Sequence, residues 1–360
     1  MALRHRVRPE CSLNATLTLR AGAIPLWPAD RFDRNLMNGG ALMDQKLVGV
    51  VVSAPDSAGM LAGIEHAEQL GIPAAWLTTG GTGIDALTLY AAAAVRTTRI
   101  RLGTSIVPIL PRHPLVVVQQ VQVLAQLAPG RFRLGLGPSH RPTMEATFGF
   151  DFLAPLGHLR EYVRIVKTLL HRGSVDFDGR YYRAHGQIRT PVEVPVMASA
   201  LQRKSFEFCG EEADGAISWV CPGVYLRDVA LPAMHAGAEK AGRPVPPLLA
   251  HAPVCVHNKP DEVRAAVHQQ LANYVRLPFY VQMLTAAGFP EAASRAWSDA
   301  MIEAVVLSGE ESRVADRLHE LFSFGAAEIL VSPLAAGSDR AASLERTLRL
   351  VAETAKVGAT

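Results

Sequence analysis

From Met43 onward, the sequence alternates short apolar runs of strand character with longer stretches of helical spacing, and this order limits the fold more than any other feature. Leu47–Ser53 is rich in valine and ends in Ala54-Pro55-Asp56, a turn and helix-start signal, after which Met60–Leu70 has apolar residues at helical spacing. The same order recurs along the chain. The strands predicted in this way are Leu47–Ser53, Ala74–Leu77, Ile100–Val107, Phe132–Leu136, Val194–Ala198, Gly215–Trp219, Leu249–Val256 and Glu328–Val331.

Eight strands that each lead into a helix predict an α/β fold, a parallel (β/α)8 or TIM barrel. A doubly wound open sheet is the competing architecture, and the count of eight favours the barrel. Insertions are predicted after strands 4 and 7. The first contains a small hairpin over Val175–Ile188. The second, Leu271–Ala300, is aromatic-rich, which is typical of a packed helical insertion and also of a lid over a pocket or a dimer face.

The length of 360 residues suits one barrel domain. We predict the barrel over 43–360 and an N-terminal extension over 1–42, which is either disordered or the product of an overlong translation start. The extension holds six arginines against Glu10, Asp30 and Asp33, so 30 basic and 30 acidic residues remain in 43–360. The barrel is therefore neutral overall, without the basic face that nucleic-acid binding requires.

Composition also bears on the compartment and the partners. The four cysteines form no CxxC pair, which predicts free, mostly buried thiols in a reducing compartment. No apolar run reaches the length of a membrane span, and the N-terminus lacks the apolar core of a secretory signal. We therefore expect a cytoplasmic protein with a small-molecule substrate, no nucleic-acid or membrane partner, and a homodimeric assembly.

The loops after the predicted strands are where a barrel carries its chemistry, and here they lack most catalytic motifs. No HExxH or CxxC metal motif is present, so no metal site is predicted. The sequence also lacks a GxSxG nucleophile elbow and a Walker loop. Lys204 and Lys259 lie in polar settings, unlike a Schiff-base lysine. Such a barrel must take its reactivity from a redox cofactor.

Two loops have the residues to receive that cofactor. Ser199–Lys204 is a strand-to-helix turn with two cations, where backbone N–H groups and a helix start can hold a phosphate. Gly137–Arg141 offers close backbone approach, a hydroxyl and the imidazole of His140. The alternatives are solvated surface charge for Arg203 and Lys204 and a structural histidine for His140.

The stretch Thr98–Gly137, TRIRLGTSIVPILPRHPLVVVQQVQVLAQLAPGRFRLGLG, resembles the signature region of the luciferase-like monooxygenase superfamily, whose fold is the bacterial-luciferase-like barrel. The resemblance continues through Gly149–Leu156, the hairpin and Pro195–Ala200, and covers about Lys46 to Lys356. Gly103–Ile106 and Gly137–Pro142 are most similar to the branch that uses the deazaflavin coenzyme F420. That branch carries a non-proline cis peptide, which falls here at Ser105-Ile106.

The resemblance implies which residues hold the cofactor, with FMN as the alternative to coenzyme F420. Ser105-Ile106 supports one face of the ring, Gly137 to His140 flank it, and the phosphate lies on the Ser199 to Lys204 turn. The cofactor-binding residues implied are Ser105, Ile106, Gly137, Pro138, Ser139, His140, Ser199, Ala200, Gln202, Arg203 and Lys204. The catalytic residue implied is His140, as proton donor, with His113 and Glu145 as weaker candidates.

One loop departs from the family pattern. Many F420-dependent members have an acid and a histidine after the second strand, where this sequence has Thr78-Thr79-Gly80. The resemblance thus implies an oxidoreductase that transfers a hydride between reduced F420 and a small organic substrate, but leaves the substrate open. The alternatives are an FMN-dependent luciferase-like monooxygenase and a catalytically quiet flavin-binding barrel.

Overall fold

Eight parallel strands pair edge to edge in a closed ring in the computed structural model, which describes residues 46–357. The strands of the protein are β1 Leu47–Val51, β2 Ala74–Leu77, β3 Arg101–Thr104, β4 Val107–Pro108, β5 Phe132–Gly137, β6 Ser174–Asp178, β7 Arg183–Gln187, β8 Val196–Ser199, β9 Ala216–Trp219, β10 Leu248–Val256, β11 Leu307–Gly309 and β12 Glu328–Pro333. The pairing in the ring runs in the order β1, β2, β3, β5, β8, β9, β10, β12 and returns from β12 to β1. The predicted TIM barrel is confirmed, because β1 and β12 pair with each other and every strand of the ring has two neighbours, whereas an open sheet has two unpaired edges.

Helices lie between successive strands of the ring. They are α1 Ser57–Leu70, α2 Ala86–Arg96, α3 Pro114–Leu127, α4 Arg141–Phe148, α5 Pro155–Arg172, α6 Arg203–Glu212, α7 Gly223–Tyr225, α8 Leu231–Lys240, α9 Pro260–Gln270, α10 Pro278–Ala286, α11 Asp299–Val305, α12 Glu311–Ser323 and α13 Arg340–Val357. The Asp56 carboxylate accepts the N–H of Gly59 at 2.7 Å and starts α1 three residues before the predicted Met60. A π-helical turn, Leu226–Ala230, joins α7 to α8.

Two differences from the predicted strands concern short segments. The predicted strand Ile100–Val107 is divided into β3 and β4, because the chain leaves the ladder at Ser105 and Ile106. β11 was not predicted, since three residues are too few to show a period. It lies outside the ring, where Leu307 pairs with Val254 on the side of β10 that β9 pairs with only as far as His251.

Both predicted insertions are present. The hairpin after the fourth barrel strand is formed by β6 and β7, with Ser174 opposite Gln187. The insertion after the seventh barrel strand contains α10 and two short 3-10 helices, Tyr274–Arg276 and Pro290–Ser294. Trp297 is buried in it and donates its indole N–H to the carbonyl of Leu271 at 3.0 Å, so the segment is packed as a unit.

A buried ion pair closes the amino end of the barrel interior. Arg133 on β5 makes a two-pronged contact with Glu328, the first residue of β12, and Trp76 donates its indole N–H to the same carboxylate at 3.0 Å. The guanidinium lies 4.4 Å from the Trp76 ring centre. Polar groups therefore hold this end together, and an apolar layer separates them from the carboxyl ends of the strands.

The remaining sequence-based expectations concern the N-terminal extension, the cysteines and the possibility of a membrane span. The extension over 1–42 lies outside the described residues. Cys209, Cys221 and Cys255 are free and buried, as predicted for these thiols. Within residues 46–357, no helix is both long enough and apolar enough to span a membrane.

Candidate active site

The carboxyl ends of the barrel strands place an uncharged ring of side chains at one mouth of the barrel. The apolar cluster enclosed by the strands includes Val51, Trp76, Met197, Ile217, Leu249 and Leu330. Because side chains alternate along a strand, the residues two positions further on face the same interior. By this alternation and the strand register, the mouth is lined by Ser53, Thr78, Ser105, Gly137, Ser199, Trp219, His251 and Ser332.

Thr78 and Thr79 hold the turn at Ser105-Ile106. The Ser105-Ile106 peptide bond is cis, which confirms the expectation drawn from the family resemblance. The Thr78 hydroxyl donates to the Ser105 carbonyl at 2.8 Å, and the Thr79 N–H donates to the Ile106 carbonyl at 3.2 Å. The threonines that replace the family's acid and histidine therefore support the backbone of the predicted ring site.

Gly137 lets three strand ends meet closely. A Cβ at this position would lie 2.9 Å from Cγ1 of Ile106 and would also run into the Ser199 hydroxyl. Ser105 and Gly137 are buried, whereas Ile106 and Ser199 are half-buried. The structure thus brings together residues from the ends of three strands, and Ile106 presents an apolar surface beside the hydroxyl of Ser199.

The loop after β5 turns His140 towards the insertion. Ser139 adopts a left-handed conformation with φ of 62°, uncommon for a residue with a side chain, and Pro138 and His140 are half-buried beside it. The His140 ring centre lies 5.7 Å from that of Tyr274 and 5.8 Å from that of Tyr280. Burial lowers the pKa of His140, so its imidazole is neutral at pH 7.

In the turn before α6, Ala200 and Gln202 are hydrogen-bonded within the protein, whereas the two cations that follow are exposed. The buried Ala200 donates its N–H to the carbonyl of Ile217 at 2.9 Å. Gln202 donates its backbone N–H to the Ser205 hydroxyl at 3.0 Å and its side-chain amide to the Phe279 carbonyl at 2.6 Å. The exposed Arg203 and Lys204 have no ion-pair partner within residues 46–357, which leaves their charges available to an anion.

The weaker proton-donor candidates have structural partners. His113 precedes α3, where its Nδ1 accepts the N–H of Leu115 at 3.3 Å and its Nε2 lies 3.1 Å from the Arg183 carbonyl oxygen. Glu145 is exposed and pairs with Arg141 at 2.7 Å. His113 is thus a helix cap, and Glu145 belongs to a surface ion pair.

The structure adds four aromatic or imidazole side chains to the mouth that the sequence did not assign to the site. Trp219 and His251 lie on adjacent strands, with ring centres 4.1 Å apart. Tyr274 from the insertion packs edge-on against Trp219 at 5.5 Å and against Tyr280 at 5.2 Å. The aromatic-rich character of Leu271–Ala300 was the signal for the two tyrosines, and for His251 it was a histidine within the otherwise apolar run LLAHAPVCV. Only the strand register shows that His251 faces the mouth.

These residues fit a flat cofactor ring with an anionic tail. The side of the mouth at Ile106 and Gly137 is apolar and without bulky groups, which suits the face of a flavin-like ring. Two exposed cations begin α6, next to Ser199, and suit a phosphate group. Within residues 46–357 no cluster of three or more metal-ligating side chains occurs.

Comparisons with known proteins agree with this geometry. The family model described as luciferase-like monooxygenase matches residues 38–328. An F420-dependent glucose-6-phosphate dehydrogenase from Nocardia farcinica is 35% identical over 180 residues, which cover 47% of this chain and 53% of the relative. The enzyme of the same name from Beutenbergia cavernae is 35% identical over 198 residues, covering 53% and 59%. The chain thus spans little more than half the length of these curated relatives.

Solved structures show the same fold at low identity. The coenzyme F420-dependent tetrahydromethanopterin reductase from Methanopyrus kandleri has a TM-score of 0.69 and 20% identity, covering 87% of this chain and 99% of its own. An F420-dependent secondary alcohol dehydrogenase in complex with an F420-acetone adduct has a TM-score of 0.73 and 17% identity, covering 87% and 98%. At these identities the likeness concerns the fold alone.

Proposed function

The chain belongs to the luciferase-like monooxygenase family, and we propose that it is an oxidoreductase that binds coenzyme F420 at the carboxyl-end mouth of its barrel. The observation that carries the proposal is the seat formed by Ser105-Ile106, Gly137 and Ser199, whose backbone is held by Thr78 and Thr79. The F420-dependent activity in the names of the curated relatives supports the choice of cofactor.

In this proposal the ring lies against Ser105-Ile106, with Gly137 to His140 along its edge. The phosphate would lie at the turn of Ser199, Ala200 and Gln202. Because the N–H groups of Ala200 and Gln202 are bound within the protein, Arg203 and Lys204 would supply the contacts to it. Bound and reduced, the cofactor supplies a hydride to a small organic substrate. The protein holds the reactants in place and excludes water, for which the covering insertion is suited.

His140 is proposed to move the proton that accompanies the hydride. Its ring packs against Tyr274 and Tyr280, and burial lowers its pKa, so the imidazole is neutral. A neutral imidazole can give up the proton on one ring nitrogen while the other nitrogen takes one from water. Water is the alternative donor. Burial also lowers the pKa of His251, to about 3, so that second imidazole stays neutral as well.

Two alternatives share this site. With FMN, the same seat would serve a luciferase-like monooxygenase, and without turnover it would be a quiet flavin-binding barrel. Turnover of a reducible dye or enone with reduced cofactor rejects the quiet barrel. Affinity for each cofactor separates the other two, because a protein that binds FMN alone at micromolar concentration is not an F420 enzyme.

The charges that begin α6 provide a test of the cofactor's position. We expect the double substitution Arg203→Ala/Lys204→Ala to weaken F420 binding about tenfold, which is about 1.4 kcal/mol, because charge-assisted hydrogen bonds to phosphate are lost. The affinity should also depend less on salt. Binding is measured by fluorescence titration at two salt concentrations.

The control for this test is Lys259→Ala/Arg264→Ala, which removes two cations near the start of α9. We expect this variant to bind F420 as the wild type does. If both double variants weaken binding equally, the phosphate does not lie at α6.

We also propose that the protein forms a homodimer through α3. This helix has no charged residue, and its exposed Val116, Val123 and Leu127 lie on one face. The adjacent helix α2 has an exposed apolar residue of its own, Val95. An uncharged helix face is complementary to its own copy, as a twofold interface requires.

The proposed dimer is tested by a charge on α3. Val123→Lys should halve the mass measured by sedimentation velocity, whereas Leu153→Lys, at another exposed apolar residue, should not. A monomeric wild type would contradict the proposal.

A further inference from the structure

A recess at the amino end of the barrel is lined by cationic side chains. It has a volume of about 400 Å³ and lies between the starts of β1 and β3 and the carboxyl ends of α1 and α13. Four cations and one carboxylate are among its lining residues, namely Lys46, Arg99, Arg101, Lys356 and Glu68. The described part of the lining thus has an excess of three positive charges, at the end of the strands opposite the mouth.

The carboxylate of Glu68 is already bound to the backbone. Its Oε1 accepts the N–H groups of Thr98, Arg99 and Ile100 at 2.9, 2.6 and 2.9 Å. These bonds hold the loop that leads into β3. None of the four cations forms an ion pair with a carboxylate of residues 46–357. The positive charge of the recess is therefore not balanced by the part of the chain that the structure describes.

Arg101 is the one cation of the recess that reaches into the barrel. It pairs in register with Ala74 of the interior apolar cluster, so its side chain points inwards. Its Nη1 is buried and has no hydrogen-bond partner within residues 46–357. Further inside, the carboxylate of Glu328 accepts both prongs of Arg133. A buried guanidinium atom without a partner in a native fold needs an explanation.

The electrostatic field at Arg101 agrees with a missing counter-charge. Burial, and then the positive charge of Arg133, lower the pKa of Arg101, whereas the carboxylate of Glu328 opposes this only in part. An anion beside Arg101 would replace the lost hydration of its guanidinium and oppose the repulsion from Arg133. The recess opens on this guanidinium, so such an anion can come from solution.

We propose that the recess binds a small phosphate monoester, with its phosphate against Arg101. The guanidinium is a planar fork of N–H donors that matches two phosphate oxygens, and the exposed Arg99, Lys46 and Lys356 add charge at the rim. The half-buried Leu47, Pro73 and Ala355 form apolar walls beside the cations. They suit a small apolar body on the phosphate.

Charge and size select this class of ligand. An excess of three positive charges suits a phosphate dianion better than a single carboxylate. A recess of about 400 Å³ is in the size range of small-molecule sites and exceeds the volume of inorganic phosphate. Because the described barrel has no extended basic face beyond this recess, a small molecule fits better than a nucleic-acid strand.

The site is separate from the proposed cofactor site. Barrel enzymes carry their chemistry at the carboxyl ends of the strands, so we assign binding and no catalytic step to the amino end. The cations at the start of α6, Arg203 and Lys204, lie at the mouth and belong to the other site. The two sites can therefore be tested independently.

The test measures binding of phenyl phosphate by isothermal titration calorimetry in the variant Arg203→Ala/Lys204→Ala, which removes the cations of the other site. We expect one molecule to bind per chain. Adding Arg101→Met, which removes the guanidinium and keeps an unbranched side chain, should weaken binding at least tenfold. Adding Arg96→Ala should leave it unchanged, because this arginine pairs with Glu65 outside the recess.

A rim variant keeps the test valid if Arg101→Met does not fold. Arg99→Ala/Lys356→Ala leaves the buried guanidinium in place, and both side chains are exposed. In the same background, this variant should bind phenyl phosphate about threefold more weakly, with less dependence of the affinity on salt.

Two further ligands test the assigned class. Phenyl phosphate should bind about tenfold more tightly than inorganic phosphate, because its ring is removed from water by the apolar walls. Phenol, which has no anion, should not bind. Phenyl phosphate should also raise the urea midpoint of the Arg203→Ala/Lys204→Ala protein and leave that of the Arg101→Met form unchanged.

Four outcomes would overturn the inference. They are no binding of phenyl phosphate by the Arg203→Ala/Lys204→Ala protein, an affinity that Arg101→Met leaves intact, equal affinities for phenyl phosphate and inorganic phosphate, or a partner from the chain itself. The last case is tested at Asp44, which precedes Lys46 by two residues and lies outside the described residues. Asp44→Asn would then lower the urea midpoint, and this loss would vanish in the presence of Arg101→Met.

Failure of the proposed function gives a different result. A protein that binds neither F420 nor FMN but binds phenyl phosphate through Arg101 would reject the cofactor site and keep the recess. A protein that binds F420 and shows any of the four outcomes would reject the recess alone.

Discussion

Replacing Glu328 by glutamine is expected to lower the free energy of unfolding by about 3–5 kcal/mol, because it leaves the charge of Arg133 buried without a counter-charge. Glu328 is 3% exposed and accepts from both prongs of the guanidinium and from the indole N–H of Trp76. Arg101 lies in the same field, where burial first and Arg133 next lower its pKa. The glutamine thus leaves two neighbouring cations inside the barrel.

A double variant shows that the loss comes from the unpaired charge. Arg133→Met/Glu328→Gln removes both charges and retains an acceptor for Trp76, so it should be more stable than Glu328→Gln alone. Urea unfolding monitored by circular dichroism measures both. Glu345→Gln is the surface control: its partly exposed carboxylate pairs with Arg349 at 2.9 Å and lies 3.2 Å from the His66 ring, and its loss should cost less than about 1 kcal/mol. Equal losses of unfolding free energy for Glu328→Gln and Glu345→Gln would show that the buried ion pair contributes no more to stability than a surface pair.

Gly135→Ala is expected to lower the free energy of unfolding by about 3 kcal/mol, because β3 and β5 approach too closely here for any side chain. A Cβ on Gly135 would lie well inside 3.0 Å of the Thr104 carbonyl oxygen and 2.7 Å from Cδ1 of Ile217. The strands are joined at this point by the Thr104 hydroxyl, which donates to the Gly135 carbonyl at 2.9 Å and accepts its N–H at 2.8 Å.

The same substitution should abolish cofactor binding at micromolar concentration. Ser105 directly follows Thr104, and Gly137 lies two residues after Gly135, and both belong to the proposed ring seat. The nearest clash is with backbone, so adding Ile217→Val should not restore stability. Gly186→Ala is the control. It lies on the hairpin, where a Cβ meets nothing within 4 Å, and should change stability by less than about 0.5 kcal/mol. A Gly135→Ala protein with wild-type midpoint and cofactor affinity would contradict the proposed seat.

Strand and helix boundaries set by local sequence were predicted correctly. Ala74–Leu77 was predicted to the residue, and Asp56 was placed at the helix start that it occupies. These features depend on neighbours within a few positions, such as a carboxylate that accepts an N–H three residues on. β11 was missed for the opposite reason, because it exists only through its pairing with β10.

The candidate site likewise contains residues that local sequence identifies and residues that only strand pairing brings together. The loops at Gly137–His140 and Ser199–Lys204 were singled out by residues contiguous in the sequence, and Ser105-Ile106 by the family resemblance. Trp219 and His251 come from different strands and have no motif. Their contact arises only when β9 and β10 lie side by side. The sequence likewise gave no indication that Thr78 supports Ser105.

The order of strands and helices was determined by the sequence alone, because hydrophobic period and helix-start chemistry are local properties of the chain. Its eightfold alternation was enough to predict a barrel, and its motifs were enough to place the family. Only the tertiary structure decided which side chains share the mouth. Ring closure brings together residues more than 200 positions apart, and which way each faces depends on register, where a shift of one residue reverses it.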